Sequence, residues 1–117
     1  MFKITKQSTK SKARLGILKT AHGNIATPFF MPDATRGAVK SLSNDDLARL
    51  GLSAMVVNTY HLLLQPGMEI VKKAKGIHRF MDWPGPLLSD SGGYQGFSLI
   101  HKNQGLGKIT EEKVIFR

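Results

Sequence analysis

Ala54-Met55-Val56-Val57-Asn58-Thr59-Tyr60-His61 is the stretch on which the fold turns, four small or apolar residues running into four that carry hydrogen-bonding groups. An apolar run this short, with two valines in it, reads as a buried strand rather than a helix. It delivers Asn58 to His61 to its carboxyl end. The same pattern returns at Leu87-Leu88-Ser89, a short strand followed at once by Asp90-Ser91-Gly92-Gly93-Tyr94-Gln95. Upstream, Thr27-Pro28-Phe29-Phe30-Met31-Pro32 is apolar and bracketed by prolines, which predicts a third buried strand that stops abruptly before Asp33.

Helices fill the spaces between these strands. Ser43-Asn44-Asp45-Asp46 opens one, with Ser43 as N-cap, Asp46 three residues later, and two carboxylates against the positive end of the dipole. Leu47 and Leu50 supply its apolar face, and Gly51 closes it in the left-handed conformation. Gln65-Pro66-Gly67 starts a second, with Met68 and Val71 spaced i,i+3, Ile70 and Ala74 i,i+4, and Gly76 as its stop. Trp83-Pro84-Gly85-Pro86 then makes a rigid turn into Leu87. At the start of the chain, Phe2-Lys3-Ile4 and Ala13 to Leu18 flank a polar turn over 7–12, and Ala21-His22-Gly23-Asn24 makes another, so 1–27 predicts an antiparallel β-meander.

The chain is therefore α/β: a meander, then strand, helix, strand, helix, strand, with polar residues repeatedly just after a strand. Ligands of parallel sheets bind at the carboxyl ends of strands, so loops at 33–38, 58–61 and 90–95 form one coherent candidate site. At 117 residues the chain fits a single domain. A closed eight-unit barrel needs about 250 residues, and closure of the sheet is not legible from these residues.

Composition narrows the partners. Seventeen Lys and Arg against eight Asp and Glu give a net charge of +9, and the pI is near 10.1. Lys3, Lys6, Lys10, Lys12, Arg14 and Lys19 precede the first acid, Asp33, and Lys72, Lys73, Lys75 and Arg79 form a second cluster. Such an excess suits a phosphate-bearing partner, or simply solubility. The absence of cysteine excludes a disulfide framework and a thiolate metal site within these residues. No membrane-spanning run or secretory signal is visible, so a cytoplasmic protein is expected.

Asp90 lies between an apolar strand and two glycines, where its carboxylate and the N–H groups of Ser91 to Tyr94 can approach a ligand closely. On residues alone Asp90-Ser91-Gly92-Gly93 reads as turn chemistry as readily as a catalytic loop. Neither a P-loop nor a dinucleotide fingerprint is present.

A longer series of motifs decides between these readings. Gly23 to Pro32, Asn58-Thr59-Tyr60-His61-Leu62, Gln65-Pro66-Gly67, Phe80-Met81-Asp82-Trp83, Leu88-Ser89-Asp90-Ser91-Gly92-Gly93-Tyr94-Gln95 and Gly107 to Glu112 stand in one order and spacing. Together they resemble the tRNA-guanine transglycosylase family. The resemblance implies the N-terminal part of a TIM (β/α)8 barrel, with 1–27 as the meander and 28–117 as the first βα units of one incomplete domain. It implies exchange of the wobble guanine of tRNA for a 7-deazaguanine base of the queuosine pathway, through a covalent enzyme–RNA intermediate. The residue matching Asp90 shuttles the proton, and a second Asp attacks the ribose, a two-carboxylate logic like that of retaining glycosidases. Tyr94 would stack on the flipped base, Ser91, Gly92 and Gly93 match the base-binding run, and Gln95 follows them. Asn58 and His61 stand at the neighbouring strand end, either touching the base or supporting the pocket from behind.

Two positions depart from the family pattern. Asp33 replaces a hydrophobic residue that many bacterial members carry after Met-Pro, and Gly96 stands in place of a valine, which predicts local loosening after the motif. No cofactor or metal ligand is implied within this chain. The family's nucleophile and its zinc ligands fall beyond the position equivalent to Arg117, and Val114-Ile115-Phe116-Arg117 reads as mid-fold. The isolated chain is thus expected to be inactive, with tRNA and a guanine or 7-deazaguanine base as partners and a homodimer at full length. The alternative is a non-catalytic tRNA-binding or partner subunit of a split transglycosylase; retention of Asp90 speaks against it.

Overall fold

The computed structural model describes residues 1–103, 105 and 107–116. Three antiparallel strands come first, β1 (Phe2–Gln7), β2 (Arg14–Thr20) and β3 (Gly23–Thr27), in the spatial order of the sequence. Register runs Phe2 opposite Leu18 and Leu18 opposite Ile25, with an irregularity between Ile4 and Lys6. The Phe2 ring lies over Gly16, where a Cβ would run into it. This is the expected meander, with β1 continuing to Gln7.

The α/β part follows as α1 (Asn44–Arg49), β4 (Met55–Asn58), α2 (Thr59–Leu64), α3 (Met68–Lys73), α4 (Ile77–Met81), β5 (Leu87–Asp90) and α5 (Gly93–Lys102). Strands β4 and β5 are parallel, paired from Met55 with Leu87 up to Asn58 with Asp90. Met55 and Val57 turn to one face, where they pack with Ala34, Leu47, Leu62, Met81 and Trp83 into the core. Val56 and Asn58 alternate to the other face. A last antiparallel hairpin, β6 (Gly107–Ile109) with β7 (Val114–Phe116), closes on a turn in which Thr110 Oγ1 accepts from the Lys113 N–H at 3.0 Å. Arg117, the end of that apolar run, lies outside the described residues.

Several local expectations need correction. The strand predicted over 27–32 does not form. Only Asp33 makes a parallel bridge to Val56, with the Val56 N–H donating to Pro32 O at 3.1 Å and the Ala34 N–H to Val56 O at 2.7 Å. Prolines 28 and 32 have no N–H to give a ladder, and Phe30, expected inside, is 76% exposed. The segment nonetheless sits beside β4 as a third parallel element.

Helix α1 has the predicted capping box, with Ser43 Oγ accepting from the Asp46 N–H at 3.2 Å and Asp46 Oδ2 from the Ser43 N–H at 3.0 Å. Leu50 is not on its apolar face. It occupies the C-cap and is 71% exposed, because Gly51 (φ 66°) turns the chain so that Leu52 returns over Leu47, its N–H donating to Leu47 O at 3.1 Å. Helix α3 ends by the same device one residue earlier than predicted. Lys75, not Gly76, takes the left-handed conformation (φ 62°), and Gly76 is already the N-cap of α4, a helix the sequence reading did not separate.

The loops expected at 58–61 and 90–95 are mostly helix, since α2 begins at Thr59 and α5 at Gly93. Polar residues after a strand also make N-caps, and here they do. Nor is the chain loosened at Gly96, which is buried inside α5 with its N–H bonded to Gly92 O at 3.0 Å.

The meander meets the α/β part through two histidines. His22, in the β2–β3 turn, stacks on His78 of α4 with ring centroids 3.6 Å apart and planes 8° from parallel. His22 Nδ1 lies 3.2 Å from the Pro84 carbonyl. Burial holds the His78 pKa below its usual 6.5, the neighbouring His22 adds to the effect, and the Gly85 carbonyl opposes it.

Candidate active site

Parallel pairing of β4 with β5 sets Asn58 directly beside Asp90 at the carboxyl ends of the two strands. Asn58 is 7% exposed, the buried polar side chain of the described residues, and both ends of its amide are used. Its Nδ2 donates to Asp90 Oδ2 at 2.5 Å, and its Oδ1 accepts from the His61 N–H at 3.2 Å, capping α2. One side chain thus fixes a carboxylate and starts a helix. Thr59 Oγ1 donates to the Asp90 carbonyl at 3.0 Å, tying the same strand end from the next residue.

Among the described residues the second carboxylate oxygen, Oδ1, meets only the Gly92 N–H, at 3.4 Å. It is the less committed of the two and the one open to a ligand. Gly92 has φ 73° and caps α5; a Cβ there would stand 2.7 Å from Tyr60 Cβ and 3.2 Å from Tyr60 N. No larger residue fits without moving α2. Ser91 Oγ accepts from the Gly93 N–H at 3.3 Å.

A cleft of about 350 Å³ opens on this face, and Asn58, His61, Asp90 and Gln95 line it together with Asp33 and Thr35. The expected site residues therefore divide. Asn58, His61, Asp90 and Gln95 are brought together. Ser91 instead borders an apolar cavity of about 620 Å³ between β5 and helices α2 to α4. Gly92, Gly93 and Tyr94 do not line the cleft; Tyr94, on the first turn of α5, is 76% exposed. Gln95 Oε1 is buried and has no hydrogen-bond partner among the described residues, an acceptor left unsatisfied beside the cleft. His61 sets its ring edge-on to Tyr60 at 5.5 Å.

Three participants, Thr59, Asp33 and Thr35, were not assigned a part by the sequence. Thr59 was legible as a neighbour of Asn58, but its bond to Asp90 spans 31 residues. Asp33 and Thr35 lie in the 33–38 loop that the sequence placed in the candidate site without giving either residue a part, and the bridge from Asp33 to Val56 brings them to the cleft.

An α/β protein that holds an oriented carboxylate at the carboxyl end of adjacent parallel strands belongs to the class whose ligands are met by strand-end loops. The family model described as queuine tRNA-ribosyltransferase matches residues 8–117. A queuine tRNA-ribosyltransferase of Dictyoglomus turgidum is 50% identical over 116 residues, 99% of this chain and 29% of that protein. One of Staphylococcus aureus (strain JH9) is 51% identical over 112 residues, 96% of this chain and 28% of that protein. The chain belongs to the queuine tRNA-ribosyltransferase family, and it spans under a third of the length of these curated relatives.

Among the described residues, no group of three or more His, Cys, Asp or Glu is disposed to hold a metal ion. Among them, too, no helix is long and apolar enough to cross a membrane.

Proposed function

We propose that this chain is the part of a tRNA-guanine transglycosylase that supplies the proton-shuttling carboxylate, Asp90, and one wall of the base pocket. The observation that carries the reading is the Asn58–Asp90 pair: one carboxylate oxygen anchored at 2.5 Å, the other nearly free, at a strand end facing an open cleft. A purine leaves ribose C1′ poorly as an anion. A proton given by Asp90 Oδ1 lets it depart neutral, and the carboxylate so formed takes a proton from the incoming 7-deazaguanine base. Asn58, bonded to the other oxygen, holds the group in place through both steps. The C1′ released by guanine is held meanwhile by a carboxylate from outside this segment.

In this reading 28–117 are the first βα units of a (β/α)8 barrel behind the meander of 1–27, and nucleophile and zinc come from the remaining length. The cleft residues Gln95 and His61 meet the base, Ser91, Gly92 and Gly93 let it lie against backbone, and exposed Tyr94 is the ring on which it stacks. The protein works on tRNA in the cytoplasm, as a homodimer at full length. The net charge of +9 supports the tRNA partner.

The test uses Asp90→Asn in the full-length protein. Exchange of labelled guanine into tRNA should fall by at least about a thousandfold, within the scale of losing a positioned acid–base group, while tRNA affinity is retained. Loss of tRNA binding by a folded variant would sink the proton-shuttle assignment. The 117-residue chain by itself should incorporate no label.

A further inference from the structure

The cleft holds a second carboxylate that the proton transfers do not use. Asp33 faces the same side of the sheet as Val56, with which it is bridged, while Asp90 is paired two residues further on with Asn58. Asp33 Oδ1 accepts from Thr35 Oγ1 at 2.6 Å, which fixes the carboxylate. Its other oxygen has no partner among the described residues, and the ion pair found among them, Lys72 with Glu69, lies elsewhere. Asp33 is therefore an oriented, uncompensated acceptor in a cleft of a strongly basic chain.

An anion so placed repels phosphate and welcomes O–H or N–H donors. By strand spacing, Asp33 stands roughly 7 Å below and 10 Å across from Asp90 along the backbone. The two cannot serve the same substrate atom, yet a single nucleoside spans the interval between their side chains. With the base at Asp90, the donors left for Asp33 are the sugar hydroxyls.

We propose that Asp33 binds the ribose of the exchanged nucleotide by accepting from its 2′-hydroxyl, and so makes this site selective for RNA over DNA. The inference rests on the transglycosylase reading above for the position of the base. An acidic residue at a strand end that takes a ribose 2′-OH is an established solution in nucleotide-binding sheets, and the 2′-OH is what distinguishes RNA from DNA at a contact. Thr35, by holding Oδ1, leaves the free oxygen directed without further ordering cost.

The experiment compares two RNA stem-loops, identical except for guanosine or 2′-deoxyguanosine at the exchanged position, with the full-length protein. Both kcat/KM for labelled-guanine exchange and equilibrium Kd are measured. The native protein should favour the ribose substrate by roughly 10- to 100-fold, the scale of a hydrogen bond to a charged acceptor. Asp33→Val should bring that ratio to within about twofold of one, and the near-isosteric Asp33→Asn should lie between, with KM for free guanine unchanged in both. An equal loss on both substrates in the variants, or a native ratio near one, overturns the proposal. So does a variant that leaves the ratio intact and instead weakens an amino-substituted base, since Asp33 would then read the base. Asp33-dependent discrimination in Kd without any exchange would sink the transglycosylase reading and leave Asp33 standing; exchange without discrimination would do the reverse.

Discussion

Asn58 shows how much one buried amide settles at the level of a residue. It is bonded at both ends, to the Asp90 carboxylate and to the backbone of His61, so truncation removes a charged hydrogen bond and a helix cap together. Asn58→Ala should destabilise the protein by about 2–3 kcal/mol in urea titration, and should also lower kcat for guanine exchange more than it raises KM for tRNA. A stability loss with kcat untouched would mean that Asn58 caps α2 without orienting Asp90. The candidates themselves were visible in the sequence, since Asp90 and Asn58 each follow a short apolar run. Their contact was not, because 32 residues separate them and only the parallel register joins them. A similar separation concealed the bond from Thr59, whereas Asp33 lay in a loop already placed in the site, and its bridge to Val56 and bond from Thr35 are what the structure adds.

At the scale of elements, local chemistry was legible and long-range pairing was not. The capping box at Ser43 needs only four consecutive residues, and it forms as predicted. The Ser43 hydroxyl, and then the Ser43 N–H, hold the Asp46 pKa below its usual 3.8. A depressed carboxylate contributes stability above its unfolded pKa and loses it as pH falls through the folded value. Ser43→Ala removes the hydroxyl contact and the cap, so it should lower the thermal midpoint at neutral pH and lower it progressively less below about pH 4. Lys75 at the end of α3 offers the opposite case. A lysine at φ 62° pays a left-handed cost that glycine avoids, so Lys75→Gly should stabilise by about 1 kcal/mol; an unchanged midpoint would show the strain to be absent. Overreading came where one residue type serves two purposes. Prolines bound both strands and loops, and the run over 27–32 lost its ladder; Asn58 and Gly92 looked like site loops because caps and sites draw on the same polar and small residues.

The molecule as a whole is more open than its length alone would require. Its radius of gyration is 17.4 Å, against about 13 Å for a compact domain of this size. Its surface is 8874 Å², against roughly 6300 Å² by the usual mass scaling. Phe30, Leu50, Leu64 and Phe97 are among the large apolar side chains left outside. The meander meets the α/β part at the His22–His78 stack and at His22 Nδ1, 3.2 Å from the Pro84 carbonyl. Because burial, reinforced by His22, lowers the His78 pKa, the unfolded chain takes up the proton first as pH falls below about 6.5. Stability should be full above that pH and decline below it. Urea midpoints at pH 7.5 and 5.5 measure the loss, and His78→Phe, which still stacks but cannot titrate, should reduce it; equal pH sensitivity in that variant would refute the assignment.

The sequence by itself determined the α/β class, the order of most elements, the capping box at Ser43 and the placing of Asp90 just after a short apolar run, because these depend on side-chain type and on contacts within a few residues. The tertiary structure alone decided that Asn58 holds Asp90, that Asp33 bridges to Val56 and that His22 meets His78. Those pairs lie 23 to 56 positions apart and are joined by strand register and helix packing, which no local pattern of residues encodes.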